Sequence, residues 1–267
     1  MPLANFICPD QEQIAVQDCL SKCRLPDRCI VLPILREISR EREWTGVPST
    51  TQLINPTCLE FLKITKPYAV EPESRAFMLL GILTHEKLAL QATTTEIPVG
   101  EEITSTIDLV DIANGGLELI DYKTWGSYRV ARALGLEKSG KGFKVNPQLI
   151  DMEDTTLQLN HYKLQLESNG FKVAKLTCQV IVRDAGLKVA RERGITRSMY
   201  KLNIPIMDSQ TVRDYFAEKR EALLLALSSG FFLNICSEKD CWEGRRCADY
   251  CDVWESCPRG LQEHRKP

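Results

Sequence analysis

Histidine is scarce in this chain, with three among 267 residues. Long apolar runs are missing as well. No stretch approaches the roughly 20 residues needed to cross a bilayer, so no membrane association is expected. The first residues, MPLANFICPDQEQ, lack the basic-then-apolar pattern of a secretory signal. A cytoplasmic location is therefore expected, with cysteines reduced or metal-bound rather than disulfide-bonded. Low-complexity segments and true repeats are also lacking. Neither sign of charge is in excess, since 34 Lys and Arg against 36 Asp and Glu leave −2. That balance argues neither for nor against nucleic-acid binding. A local basic track suffices for it, because phosphate contacts are short-ranged at physiological salt.

What is present is a packed core and an unusual hairpin. Apolar residues make up 43% of the chain, ample for burial. The segment STIDLVDIANGGLELIDYKTW reads as two strands joined at Asn114-Gly115-Gly116, because Asn-Gly between apolar runs is a strong hairpin signal. Ile107, Leu109, Leu117, Leu119 and Ile120 are its apolar positions. Asp108 falls on the first strand, and Asp121 and Lys123 at the end of the second. Residues two apart on a strand share a face, so Asp121 and Lys123 project together. Two carboxylates converging with an ammonium are costly to bury unless the charge is used. A divalent metal held by both Asp, with the Lys steering a water, is the obvious use.

Two further pieces flank the hairpin. His85 stands in the helical stretch RAFMLLGILTHEKLAL. Gln158 and Tyr162, four apart on a later helix, share one helix face. In this order, the pieces resemble the PD-(D/E)xK nuclease superfamily and, within it, the RecB-type exonuclease branch. Ile107-Asp108 stands where the superfamily's nominal Pro-Asp would be. The resemblance implies a restriction-endonuclease-like α/β (α+β) core, with a central mixed sheet flanked by helices. It implies Mg²⁺ or Mn²⁺ held by His85, Asp108, Asp121 and the carbonyl of Tyr122. Lys123 would orient the attacking water, and Gln158 and Tyr162 would hold the Lys and the nucleic acid. It implies DNA as partner, in company with a helicase or recombination protein, and exonuclease rather than sequence-specific endonuclease action.

Eleven cysteines form the second signal, and they cluster at the two ends. Cys8, Cys19, Cys23 and Cys29 form one group. Cys236, Cys241, Cys247, Cys251 and Cys257 form the other, while Cys58 and Cys178 stand alone. Close cysteine spacing in a cytoplasmic protein suggests Zn²⁺ or an iron–sulfur cluster. Cys178 sits in an apolar strand and reads as a small core residue. Some members of the resembled branch, AddB-like proteins and CRISPR-adaptation exonucleases, carry a [4Fe–4S] cluster on three C-terminal cysteines and one that precedes the core. By that resemblance Cys247, Cys251 and Cys257 are the trio, with Cys58 or Cys241 as the fourth. Cys8, Cys19, Cys23 and Cys29 are a possible second site.

The remaining pattern predicts a Cys-rich extension over 1–45, a nuclease core over 46–230 and a Cys-rich segment over 231–267. Helices are expected over 11–23, 33–42, 50–64, 149–169 and 209–229, with a loop around Gly140, Gly142 and Pro147. LTCQVIVRD reads as a buried strand and MYKLNIPIM as an edge strand. Arg129, Arg132, Lys138, Lys141 and Lys144, following the hairpin, are the candidate DNA path, and Trp125 a candidate base-stacking side chain. His161 and His264 are assigned no role. The expected function is thus a metal-dependent DNA exonuclease. A non-catalytic DNA-binding scaffold on a metal-stapled nuclease fold is one alternative. A zinc- or cluster-dependent regulatory protein is another.

Overall fold

The computed structural model describes residues 3–40 and 43–264. In chain order the strands are β1 (Leu3–Ile7), β2 (Gln13–Ala15), β3 (Tyr68–Val70), β4 (Thr95–Val99), β5 (Ser105–Ala113), β6 (Gly116–Trp125), β7 (Leu136–Ser139), β8 (Gly142–Val145), β9 (Val173–Val182) and β10 (Met199–Ile204). The helices are α1 (Val16–Ser21), α2 (Leu32–Ile38), α3 (Thr50–Ile54), α4 (Thr57–Thr65), α5 (Ala76–Ala89), α6 (Ser127–Ala133), α7 (Glu153–Ser168), α8 (Lys188–Arg191), α9 (Ser209–Ser229), α10 (Arg245–Asp249) and α11 (Pro258–Glu263). Two compact units result. One is Leu80–Tyr215, and the other joins residues 1–79 to 216–267. Both cysteine groups therefore lie in one unit and the β5–β6 hairpin in the other. No helix among the described residues is long and apolar enough to cross a membrane.

The hairpin unit is built on a five-stranded sheet in the order β10-β9-β6-β5-β4. Asn114 and Gly115 turn the chain, with Ala113 paired to Gly116 across the hairpin end. Gly115 takes φ 91°, a left-handed conformation that costs glycine nothing. β6 and β9 run parallel, and every other neighbour is antiparallel. A parallel pair needs a crossover, which α6 and α7 provide. Ile107, Leu119, Leu176 and Val180 are buried to 1% exposure or less, with Val130 of α6 and Leu159 of α7 against them. Buried Asn160 ties the exit of β10 to α7, donating to the carbonyl of Pro205 at 2.9 Å and accepting from Met207 N–H at 2.8 Å. This is the mixed α/β core, with a central mixed sheet flanked by helices, that a restriction-endonuclease-like fold requires.

The other unit carries the sheet β2-β1-β3 over Phe6, Leu35, Ile38 and Val70. α3 begins with a reciprocal capping box between Ser49 and Gln52, a motif of order 1 kcal/mol. Lys63 and Arg75 reach Asp252 at 3.2 and 3.5 Å, which ties the two chain ends together.

Several expected elements differ. The helix expected over 11–23 is β2 followed by α1, because Ile14 turns inward between exposed Gln13 and Ala15 and pairs with Phe6. The helix over 50–64 is two helices, since Asn55 precedes Pro56 and is driven to extended backbone (φ −65°, ψ 159°). α2 ends at Ile38, and residues 41 and 42 of the expected helix lie outside the described residues. The Gly140 loop is a hairpin, β7 to β8, with Gly140 at φ 58° in its turn. β4 and α6 were not expected at all. The helix over 209–229 is found as α9, with Thr211 N–H donating to the Asp208 carboxylate at 2.8 Å. The His264 ring stacks on Trp254 at 3.8 Å.

His161 lies buried on α7, and burial alone pushes its pKa down to about 4. The folded chain keeps this ring neutral at pH values where the unfolded chain protonates it. Stability is therefore full above the ordinary value of 6.5 and falls as pH drops toward 4, by about 3 kcal/mol. His161→Gln should flatten that part of a denaturation-versus-pH profile. A slope identical to wild type would mean that other groups set the acid limb.

Candidate active site

Strand registers assemble the charged groups. Leu109 pairs with Ile120, so Asp108 stands beside Asp121, and Asp121 pairs with Cys178 on β9. On the other side, Thr95 and Ile97 pair with Leu109 and Ile107, which sets Glu96 opposite Asp108. A row of three carboxylates thus crosses β4, β5 and β6. The β5–β6 ladder ends at Leu109 and Ile120, and there Asp108 substitutes for the missing backbone partner. Its Oδ2 accepts the Tyr122 N–H at 2.7 Å. N–H and C=O of one strand residue point the same way, so the Tyr122 carbonyl faces the Asp108 side as well. The other oxygen, Oδ1, lies 3.3 Å from Nδ1 of His85 on α5. The His85 ring meets Tyr122 edge-on, with centroids 6.2 Å apart.

Asp121 is 2% exposed. The Lys123 ammonium donates to its Oδ1 at 3.0 Å and lies 2.9 Å from Oδ2, off the direction for a hydrogen bond. Oδ2 is therefore a buried carboxylate oxygen that accepts no hydrogen bond. Burial drives the Asp121 pKa upward, and the like charge of Asp108 adds to it. Burial opposes the Lys123 ammonium, but the Asp121 charge overrides it and holds that pKa above its usual value. For His85 the hydrogen bond to Asp108 dominates and raises the pKa. Tyr162 is pushed up to about 12, chiefly by burial, so it remains a phenol. Gln158 Nε2 donates to its hydroxyl at 2.7 Å. Gln158 therefore addresses Tyr162, while Lys123 addresses Asp121.

Glu96 is the residue that sequence reasoning missed. His85, Glu96 and Asp108 offer ligand atoms that all lie within 4.8 Å of one another. Burial raises the Glu96 pKa first, then Asp108. Its backbone sits at φ 50°, a left-handed conformation inside a strand that costs a non-glycine residue roughly 1–2 kcal/mol. The alternation of Thr95, Ile97 and Val99 inward against Glu96 and Pro98 outward was the signal available. Imidazole nitrogen and carboxylate oxygen form a donor set suited to a divalent cation. Together with the orphaned Asp121 oxygen, these groups fit a metal.

A family model of the PD-(D/E)XK nuclease superfamily matches residues 36–258. The chain belongs to the PD-(D/E)XK nuclease superfamily. No curated protein sequence matches it significantly. The matched span includes the nuclease hairpin and Cys58, Cys236, Cys241, Cys247, Cys251 and Cys257. Superfamily membership makes phosphodiester hydrolysis the chemistry to read from the site and DNA the substrate.

The remaining candidates are placed as follows. Arg129 and Arg132 of α6 lie 3.0 and 3.9 Å from Asp151, and Lys144 lies 3.2 Å from Glu137. Lys138 and Lys141 stand exposed on the β7–β8 hairpin. The Arg129 guanidinium covers the Trp125 ring at 5.2 Å, and Trp125 packs against the core. Cys58 Sγ is 3.0 Å from Cys236 Sγ, a partner that spacing alone did not single out. Cys241, Cys247, Cys251 and Cys257 act on one another electrostatically. Burial pushes Cys247 up to about 12 and Cys251 up to about 11, so without a cation both are thiols. In the N-terminal group, Cys8 and Cys19 sense Cys23 and Cys29 in the same way. Among the described residues, no three cysteine sulfurs lie within 4.8 Å of one another.

Asp121→Asn should strand the half-buried Lys123 ammonium. Discounting for the exposure of Lys123, the loss should be about 1–3 kcal/mol. Asp121→Asn combined with Lys123→Met should recover most of it. Additive losses in that double-mutant cycle, read by denaturant titration, would show that the pair does not hold the site.

Proposed function

We propose that this protein is a divalent-metal-dependent DNA exonuclease of the RecB-type branch. One observation carries the reading: buried Asp121 pairs with Lys123 beside Asp108, which in turn binds His85. The three Asp and Lys positions are those the superfamily uses, and the His on the preceding helix is the mark of the branch. His85, Asp108, Asp121 and the Tyr122 carbonyl are the groups that would hold Mg²⁺ or Mn²⁺. A bound divalent cation supplies charge to polarise the scissile phosphate and lowers the pKa of a water.

The chain's own groups do the rest. Lys123, kept protonated by Asp121, offers donors to the developing negative charge and orients the attacking water. Asp108 fixes the Tyr122 peptide and the His85 ring, so three groups are aligned before substrate arrives. Tyr162, a neutral phenol positioned by Gln158, can donate a hydrogen bond to a phosphate oxygen. Arg129, Arg132, Lys138, Lys141 and Lys144 would track the nucleic-acid backbone without reading bases. Binding there would require Arg129, Arg132 and Lys144 to exchange carboxylate partners for phosphates, so affinity should fall steeply with salt.

Lys123→Ala should reduce Mg²⁺-dependent digestion of linear DNA by at least about a hundredfold, the scale of losing a principal charge-stabilising group. Mn²⁺ binding, measured by calorimetry, should persist. An exonuclease should spare covalently closed circles and degrade them once they are linearised. Cutting of intact circles would place the activity in the endonuclease class, and a Lys123→Ala variant as active as wild type would overturn the site.

The proposal extends to a metal staple on Cys247, Cys251 and Cys257 with Cys58 or Cys241, and to a possible second site on Cys8, Cys19, Cys23 and Cys29. The resemblance to branch members that carry such a centre on C-terminal cysteines favours a [4Fe–4S] cluster over zinc. Anaerobically purified protein should then be coloured. Replacing any one of Cys247, Cys251 or Cys257 with Ser should bleach it and lower stability, whereas Cys178→Ser should keep the colour. A colourless protein containing stoichiometric zinc would correct the cluster assignment.

A further inference from the structure

The metal set proposed above does not use Glu96, yet the fold sets it where it could serve. We infer that Glu96 is a ligand of the divalent cation, alongside His85 and Asp108, through its side-chain carboxylate. The inference rests on the metal-dependent reading for the kind of ion and adds a residue to it.

Three observations meet at this position. First, ligand atoms of His85, Glu96 and Asp108 already lie within 4.8 Å of one another. Second, Glu96 makes no competing commitment. Its Oε1 stands 4.0 Å from His85 Nδ1, too far for a hydrogen bond, and the side chain is 44% exposed. Third, the neighbouring Asp121 Oδ2 is a buried oxygen that accepts no hydrogen bond, with the Lys123 ammonium 2.9 Å away. β4 supplies the aim. It runs antiparallel to β5, with Glu96 between the paired residues Thr95 and Ile97. At φ 50° the chain departs from strand geometry at Glu96 alone and returns at once.

An alternative is that Glu96 merely balances the charge of His85. A charge-balancing residue tolerates loss of one carboxylate without loss of metal, and a ligand does not. The chemistry also has a preference built in. Two carboxylates and an imidazole suit Mn²⁺ as well as Mg²⁺, because imidazole is a softer donor than carboxylate or water.

The experiment measures Mn²⁺ binding to the full chain without DNA, by calorimetry and by electron paramagnetic resonance of the free ion. Glu96→Gln keeps size, shape and backbone strain and removes only the anionic donor. It should weaken Mn²⁺ at least tenfold. Glu96→Gly removes the donor and relaxes the left-handed backbone. It should lose Mn²⁺ to the same extent while its metal-free melting temperature stays at or above that of wild type. Glu101→Gln, an exposed change five residues on, controls for net charge and should bind within twofold of wild type. Glu96→Gln binding within twofold of wild type, or Glu101→Gln falling as far as Glu96→Gln, would overturn the assignment. Loss of Mn²⁺ in Glu96→Gln from a protein that never degrades DNA would uphold the ligand and sink the nuclease reading. Retained affinity in a protein that does degrade DNA would sink the ligand and leave the nuclease.

Discussion

One carboxylate organises the candidate active-site end of the sheet. Asp108 stands where β5 and β6 stop exchanging backbone hydrogen bonds, and it takes over the role of the missing strand. One oxygen secures the Tyr122 amide and the other secures His85. Strand end, following carbonyl and helix side chain are thereby fixed relative to a single group. Were Asp108 apolar, Tyr122 would lose the partner of its N–H, and His85 would lose the carboxylate 3.3 Å from its Nδ1. The precision of the site follows from this shared dependence. It also makes the site fragile, since one substitution disturbs three groups.

The electrostatics of the row oppose its own burial. Glu96, Asp108 and Asp121 are neighbours of like sign, and among the described residues Lys123 and His85 answer them. Burial pushes Asp121 toward its neutral form, and the Lys123 charge opposes that shift. An ion pair of this kind contributes little net stability, because desolvation of both partners offsets their attraction. A hydrophobic pair would hold the sheet as well. Retaining two charges and an orphaned oxygen here makes physical sense when the charges act on a ligand, and the cost is met by the apolar rows of β6 and β9 on either side.

Much of this arrangement was legible in the sequence because its signals were local and periodic. The hairpin is written in alternation and in Asn114-Gly115, so Asp108, Asp121 and Lys123 could be placed on one face without coordinates. His85, Gln158 and Tyr162 carry no local signal of function, and only the resemblance pointed to them. Glu96 escaped both routes. It lies on a five-residue edge strand containing Pro98, too short for its alternation to stand out. Cys236 was hidden for a different reason. Its nearness to Cys58 depends on folding across 178 residues of sequence, which spacing cannot express. The break at Pro56 was readable in principle, but helix periodicity on both sides outweighed one proline.

The two-unit architecture has a consequence for how the chain is made. Residues 80–215 form a continuous compact unit inserted within a discontinuous one. During vectorial synthesis the inserted unit is complete as soon as its last strand and the start of α9 emerge. The enclosing unit is not. Phe6, Leu35 and Val70 can gather early, but Cys58 must wait for Cys236, and Lys63 for Asp252. Throughout that interval the Cys58 thiol lacks its Cys236 neighbour. Domains generally fold as units in the order they are completed. Any inorganic group that needs both ends would therefore be inserted last, onto a chain whose hairpin unit is already formed.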